Sequence, residues 1–76
     1  MVNMSKSNVQ IFENLALNSM DHVYSTAIRL TQTTEEAELL VQQTYSAAFA
    51  AFAQFDKNSN FSPWLNELLM RIYLKR

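Results

Sequence analysis

The chain contains no glycine and a single proline, Pro63, and that omission constrains the fold more than any residue it does contain. Tight hairpins and strand bulges need positions that tolerate positive φ, which glycine supplies at no steric cost. Without it, a meander of short strands has no ready means of reversing direction, and an all-α fold follows. Size narrows the choice further. A chain of 76 residues buries only about 60 to 65% of the surface its unfolded form exposes, so its net stability is a few kcal/mol and its architecture must be simple and local. Apolar residues make up 49% of the sequence, too many for a disordered segment and enough for one core. The expectation is a compact bundle of three to four helices over residues 9–76, preceded by a flexible, unpatterned N-terminus over residues 1–8.

Periodicity places the helices. Val9, Phe12, Leu15 and Ala16 begin an apolar stripe at helical spacing, and Met20, Val23, Tyr24, Ala27, Ile28 and Leu30 continue it,. Asn18 and Ser19 between them offer a break or a cap, so the spacing fits either one kinked helix or two over residues 8–31. Thr31 to Thr34 form a polar turn. Thr33 followed by Glu36 fits a capping box, and Glu35, Glu36 and Glu38 suit the positive end of a helix dipole. From there Ala37, Leu40, Val41, Thr44, Tyr45, Ala48, Phe49, Phe52 and Phe55 recur at steps of three and four, predicting a central helix of about 20 residues with one continuously buried face. The polar run Asp56 to Asn60 ends it. Ser62 as N-cap with Pro63 at the first helical position opens a last helix that buries Trp64 or Leu65, Leu68, Leu69, Ile72 and Tyr73. That helix is still amphipathic at Arg76, which implies a piece of a longer protein or a partner that continues it.

Composition excludes several functions. There is no cysteine, hence no disulfide framework and no thiolate metal site, and a reducing cytoplasm is the expected compartment. No apolar run approaches the roughly 20 residues that cross a bilayer, so no membrane partner is expected. The one histidine, His22, has only Asp21 beside it, and successive helical residues do not face each other. No metal-binding or phosphate-loop spacing occurs, so the chain reads as a non-enzyme with no cofactor. Its formal charge of −1 offers little to a phosphate backbone; Arg71, Lys75 and Arg76 nevertheless gather at the C-terminal end, where they also complement a helix dipole.

Two groups of residues exceed what folding requires. Gln42 and Gln43 lie about 100° apart on the central helix, away from its apolar face, and Leu39 and Ser46 extend the same strip at helical steps. A leucine beside uncharged amides is cheap to desolvate and suits a protein interface. Phe61 and Trp64 flank the start of the last helix, where half-exposed rings can stack on unpaired bases for about 1 to 3 kcal/mol each; the alternative is that both cap the core. The series Phe49, Phe52 and Phe55 is read as core.

Taken in register, Phe12 to Leu17, Val23 to Thr31, Glu36 to Tyr45, and Phe55 with Asn60-Phe61-Ser62-Pro63-Trp64-Leu65 resemble region 2 of the sigma-70 family RNA polymerase sigma factors, in particular the extracytoplasmic-function (ECF) group. The resemblance implies a sigma region 2-like helical domain that acts in transcription initiation. It implies docking on the clamp helices of the β′ subunit of core RNA polymerase through Leu39, Gln42, Gln43 and Ser46. It further implies contact with the non-template strand of the minus-ten promoter element, with the turn from Asp56 to Asn60 receiving a flipped base. Asn58, Asn60, Phe61 and Trp64 match that role by position, and Arg71, Lys75 and Arg76 would hold phosphates. The sequence departs from the family in having Leu39 and Gln43 where acids are usual, and Asp56, Ser62, Glu67 and Met70 where bases are common. Each missing cation removes a counterion-release term. An alternative function is therefore a sigma-like interaction module that binds an anti-sigma factor or another regulator without melting DNA. Nothing in the chain resembles the family's second DNA-binding region, which implies a fragment or a shortened relative.

Overall fold

The computed structural model describes residues 3–56 and 58–75, with side-chain surroundings from residue 8 onward. Three helices follow one another: α1 (Asn3–Thr31), α2 (Thr34–Ala51) and α3 (Phe61–Leu74), with a 3₁₀ turn at Phe52–Gln54 between the last two. No strand occurs among the described residues.

α1 is one helix, so Asn18 and Ser19 neither break nor cap it. The reason is local: the Ser19 hydroxyl donates to the Leu15 carbonyl at 2.8 Å and so stays within the helix rather than competing for a cap. Thr26 and Thr31 do the same towards His22 and Ala27. Helical backbone begins at Asn3, upstream of the boundary at residue 9, because apolar spacing marks where a helix is covered and not where its backbone starts.

The reversal from α1 to α2 takes only Gln32 and Thr33. Gln32 adopts φ 69°, the left-handed conformation normally given to glycine, while its N–H donates to the Ile28 carbonyl at 2.7 Å,. A residue with a Cβ is strained there by roughly 1–2 kcal/mol. Gln32→Gly is expected to raise stability by about 0.5 to 1 kcal/mol after allowing for the extra unfolded-state freedom, read as a higher urea midpoint at unchanged slope. Thr33 then caps α2 as the sequence implied: its hydroxyl accepts the Glu36 N–H at 3.2 Å, with Glu35 and Glu36 in the first turn.

α2 ends earlier than the apolar series suggested. After Ala51 the chain tightens into the 3₁₀ turn, and Phe55 becomes extended at φ −72°, ψ 131°, which swings its ring away from the helix and onto Trp64, 4.6 Å between centroids. An Asx turn follows, with the Asp56 carboxylate accepting the Asn58 N–H at 3.0 Å,. The N-cap of α3 is Asn60 and not Ser62, and the helix begins at Phe61. Pro63 thus sits third in the helix, where its missing N–H is still one of the first four that have no partner within the helix.

The core lies where the three helices meet. Leu40, Leu65 and Leu69 are fully buried, as are Ala27, Ala37, Ala48 and Thr44, whose small side chains let the backbones approach closely. The Thr44 hydroxyl donates to the Leu40 carbonyl at 2.7 Å and so costs little to bury. Phe12 from α1 meets Phe52 edge-on at 5.2 Å and Phe61 at 5.9 Å, closing the end of the bundle nearest the 55–60 turn. Two tyrosines stitch the helices to α1: Tyr45 donates to the Ala16 carbonyl and Tyr73 to the Leu30 carbonyl, both at 3.1 Å. Phe49 is the exception to the core expectation. It is 53% exposed, touching Phe12 with one edge, because it continues the flank of Val41 and Tyr45 at steps of four, about 100° round the helix from buried Ala48,.

Candidate functional site

α1 and α2 run antiparallel, since Phe12 faces Phe49 and Phe52 while Ala16 meets Tyr45. One side of this pair is covered by α3. The other side is an open groove of about 1090 Å³ between the two helices.

The α2 wall of the groove carries Leu39, Gln42 and Ser46, and a shallower concavity of about 560 Å³ beside it is lined by Gln42, Gln43, Ser46 and Ala47. The four residues singled out on α2 therefore form one exposed strip, and the two amides point outward from a helix whose opposite side is buried. Across the groove α1 contributes Leu17, Met20 and Tyr24. Leu17 is 66% exposed and Met20 48%, beside Leu39 at 48%. These exposed apolar side chains from two helices lie together along one groove. The floor is Val41 and Tyr45; burial pushes the Tyr45 hydroxyl above its ordinary pKa,, so it is a neutral hydrogen-bond donor to α1.

Sequence reading missed the α1 half of this surface. Periodicity puts Met20 and Tyr24 on the apolar stripe of α1 with Val23 and Ala27, and leaves Leu17 off that stripe. The signal was present: Phe12, Ala16, Ser19, Val23 and Ala27 form one stripe at steps of three and four, and Leu17, Met20 and Tyr24 form a second beside it. Together they are wider than one neighbouring helix can cover.

Of the residues expected to contact a nucleic-acid strand, Asn58, Asn60, Phe61 and Trp64 lie together around the 55–60 turn, while Arg71 and Lys75 lie apart from them. Asn58 and Asn60 are exposed in the turn and Trp64 is half-buried against Phe55. Phe61 is buried, its ring enclosed by Phe12, Phe52, Phe55 and Trp64, and its faces are not open to a base. Arg71 and Lys75 lie towards the other end of α3. From Asn60 to Lys75 the helix rises about 22 Å. Arg71 is also engaged by Glu67 at 3.2 Å on the exposed surface, and Arg76 lies outside the described residues.

Among the described residues no group of three or more His, Asp or Glu side chains is placed to hold a metal, and no helix is long and apolar enough to cross a membrane. No buried side-chain nitrogen or oxygen there lacks a hydrogen-bond partner, so no internal polar site calls for a ligand.

No solved structure matches the chain. The family model for sigma-70 region 2 matches residues 15–74, a span that takes in the groove lining apart from Phe12 and Glu13, the 55–60 turn and the whole of α3. That family is not one of enzymes. With three helices in order and the match running through all of them, the chain belongs to the sigma-70 region 2 family, whose members in general bind core RNA polymerase and recognise promoters in transcription initiation.

Proposed function

We propose that the α1/α2 groove is the face through which this domain docks on core RNA polymerase, seating against the clamp helices of the β′ subunit in the manner of the ECF group. The observation that carries the reading is the clustering of exposed apolar side chains from both helices around the uncharged Gln42 and Ser46. Such a floor is suited to a helix laid along it, by desolvation of its apolar face and hydrogen bonding to the amides. Leu39, Gln42, Gln43 and Ser46 are the α2 contacts, joined by Leu17, Met20 and Phe49. Purified core polymerase and a β′ clamp fragment are expected to retain the domain in a pull-down, and the double change Gln42→Ala with Gln43→Ala to reduce retention by about tenfold. Absence of binding to either target would overturn the reading.

In the same proposal the turn from Asp56 to Asn60, with Trp64 behind it, faces the non-template strand of the minus-ten element in the cytoplasm. A specific observation also favours the second reading, a module that binds an anti-sigma factor or regulator and has shed strand contact: Phe61 is enclosed, Arg71 is paired with Glu67, and Arg71 and Lys75 lie at the far end of α3 from the turn. Binding of single-stranded minus-ten DNA measured against salt separates the two. A measurable affinity that falls as salt rises supports strand contact; no affinity at low salt, with tight anti-sigma binding, supports the module.

A further inference from the structure

Among the described residues the groove is charged only at its two ends. At the end near the 55–60 turn Glu13 stands beside Phe49; at the other end Glu35 and Glu38 stand beside Tyr24. All three carboxylates are exposed. Between them the lining is aliphatic, aromatic or neutral, and among the described residues no lysine or arginine lines any part of it. The register set by Phe12 against Phe49 and Ala16 against Tyr45 places Glu38 roughly level with Tyr24, so the acidic ends are about 15 Å apart along the helix axes.

From this we infer that the groove selects an amphipathic helix with an uncharged apolar middle and a cation near each end, about ten residues apart. The inference rests on the groove being a docking face and adds the charge pattern of its occupant. A helix is the occupant because two antiparallel helices leave a trough whose width and curvature match a third. Cations at both ends follow because exposed opposite charges steer and orient a docking helix even where each pair adds little affinity. A second copy of the chain does not fit. Both ends of the groove are acidic, so parallel and antiparallel pairings alike set carboxylate against carboxylate.

The test uses the whole chain and three synthetic alanine-based helical peptides of about 18 residues. They share one leucine stripe and carry lysine, glutamine or glutamate at the two end positions. By fluorescence anisotropy at about 50 mM salt the lysine-ended peptide is expected to bind about tenfold more tightly than the glutamate-ended one, and the gap is expected to narrow to about twofold at about 0.5 M salt. The variant Glu13→Lys with Glu38→Lys should reverse the order, and Glu13→Gln with Glu35→Gln and Glu38→Gln should abolish the preference, each with a wild-type helical circular dichroism signal. Three peptides bound alike, no peptide bound, or self-association of the chain through the groove would overturn the inference. Core polymerase retained while the peptides bind alike would remove the charge pattern and leave the docking reading intact. The converse, lysine-ended peptide selected while core polymerase is ignored, would remove the docking reading and leave the charge pattern.

Discussion

Phe52→Ala is expected to leave the domain largely unfolded at room temperature, whereas Phe49→Ala, three positions earlier in the same series, is expected to cost less than about 1 kcal/mol. Phe52 is 3% exposed and its ring meets Phe12, Phe55, Phe61 and Trp64 at centroid distances of 5.2, 5.6, 6.3 and 6.5 Å. Truncating a buried phenylalanine costs about 3 to 5 kcal/mol in transfer and cavity terms together, and edge-to-face partners add to the loss. A domain of this size has a net stability of a few kcal/mol, so one such change consumes most of it. Phe49 already has half its surface in water and one ring partner, leaving little to lose. Urea melts followed by circular dichroism check both. Equal losses from the two changes would mean that Phe49 is a core residue and that the groove is narrower than described.

The second large effect concerns binding with the fold intact. Leu17→Glu is expected to weaken association with core polymerase by about 100-fold or more while lowering stability by no more than about 1 kcal/mol, the like charges of Glu13 and Asp21 four residues either side included,. Leu17 is 66% exposed, so the free domain tolerates glutamate there, and glutamate is a good helix former. In a docked complex the same carboxylate would be buried against an apolar partner surface, between Glu13 and Glu38, without a counter-charge from this chain. Stranding a charge at an interface costs several kcal/mol. Titration calorimetry of core polymerase with folded variant measures the change directly. Unaltered affinity would place the contact surface elsewhere on the molecule.

What could be read in the sequence follows what each residue's local surroundings decide. Thr33, Glu35 and Glu36 fixed the start of α2 because capping and dipole terms act within one turn,. Ala37, Leu40, Thr44 and Ala48 were legible as core because they keep helical spacing within one regular helix. Leu39, Gln42, Gln43 and Ser46 were legible as an exposed strip for the complementary reason. The misreadings fall around the end of α2 and the start of α3. Phe49 lies on the Val41 and Tyr45 flank of α2, about 100° from buried Ala48, while Phe52 and Phe55 follow in a 3₁₀ turn and extended chain and turn into the core, so a shared period did not mean a shared face. Ser62 followed by Pro63 resembled a helix start, yet burial of Phe61 moved that start upstream to Asn60. The α1 half of the groove was hidden for another reason. An apolar residue that waits for a partner is indistinguishable in sequence from one already covered, and only the position of α3 on the far side of the hairpin tells Leu17 and Met20 apart from Val23 and Ala27. The strand-contact set was assembled by position along the chain, and the length of α3 divides it.

The central claim, that the open side of the α1/α2 hairpin is the docking face, is tested most directly by amide chemical-shift mapping of the labelled domain titrated with the β′ clamp-helix fragment. The account predicts perturbations concentrated at residues 13–24 of α1 and 35–49 of α2, with α3 and the 55–60 turn little changed. Perturbations confined to α3 and that turn, or none at saturating fragment, would contradict it.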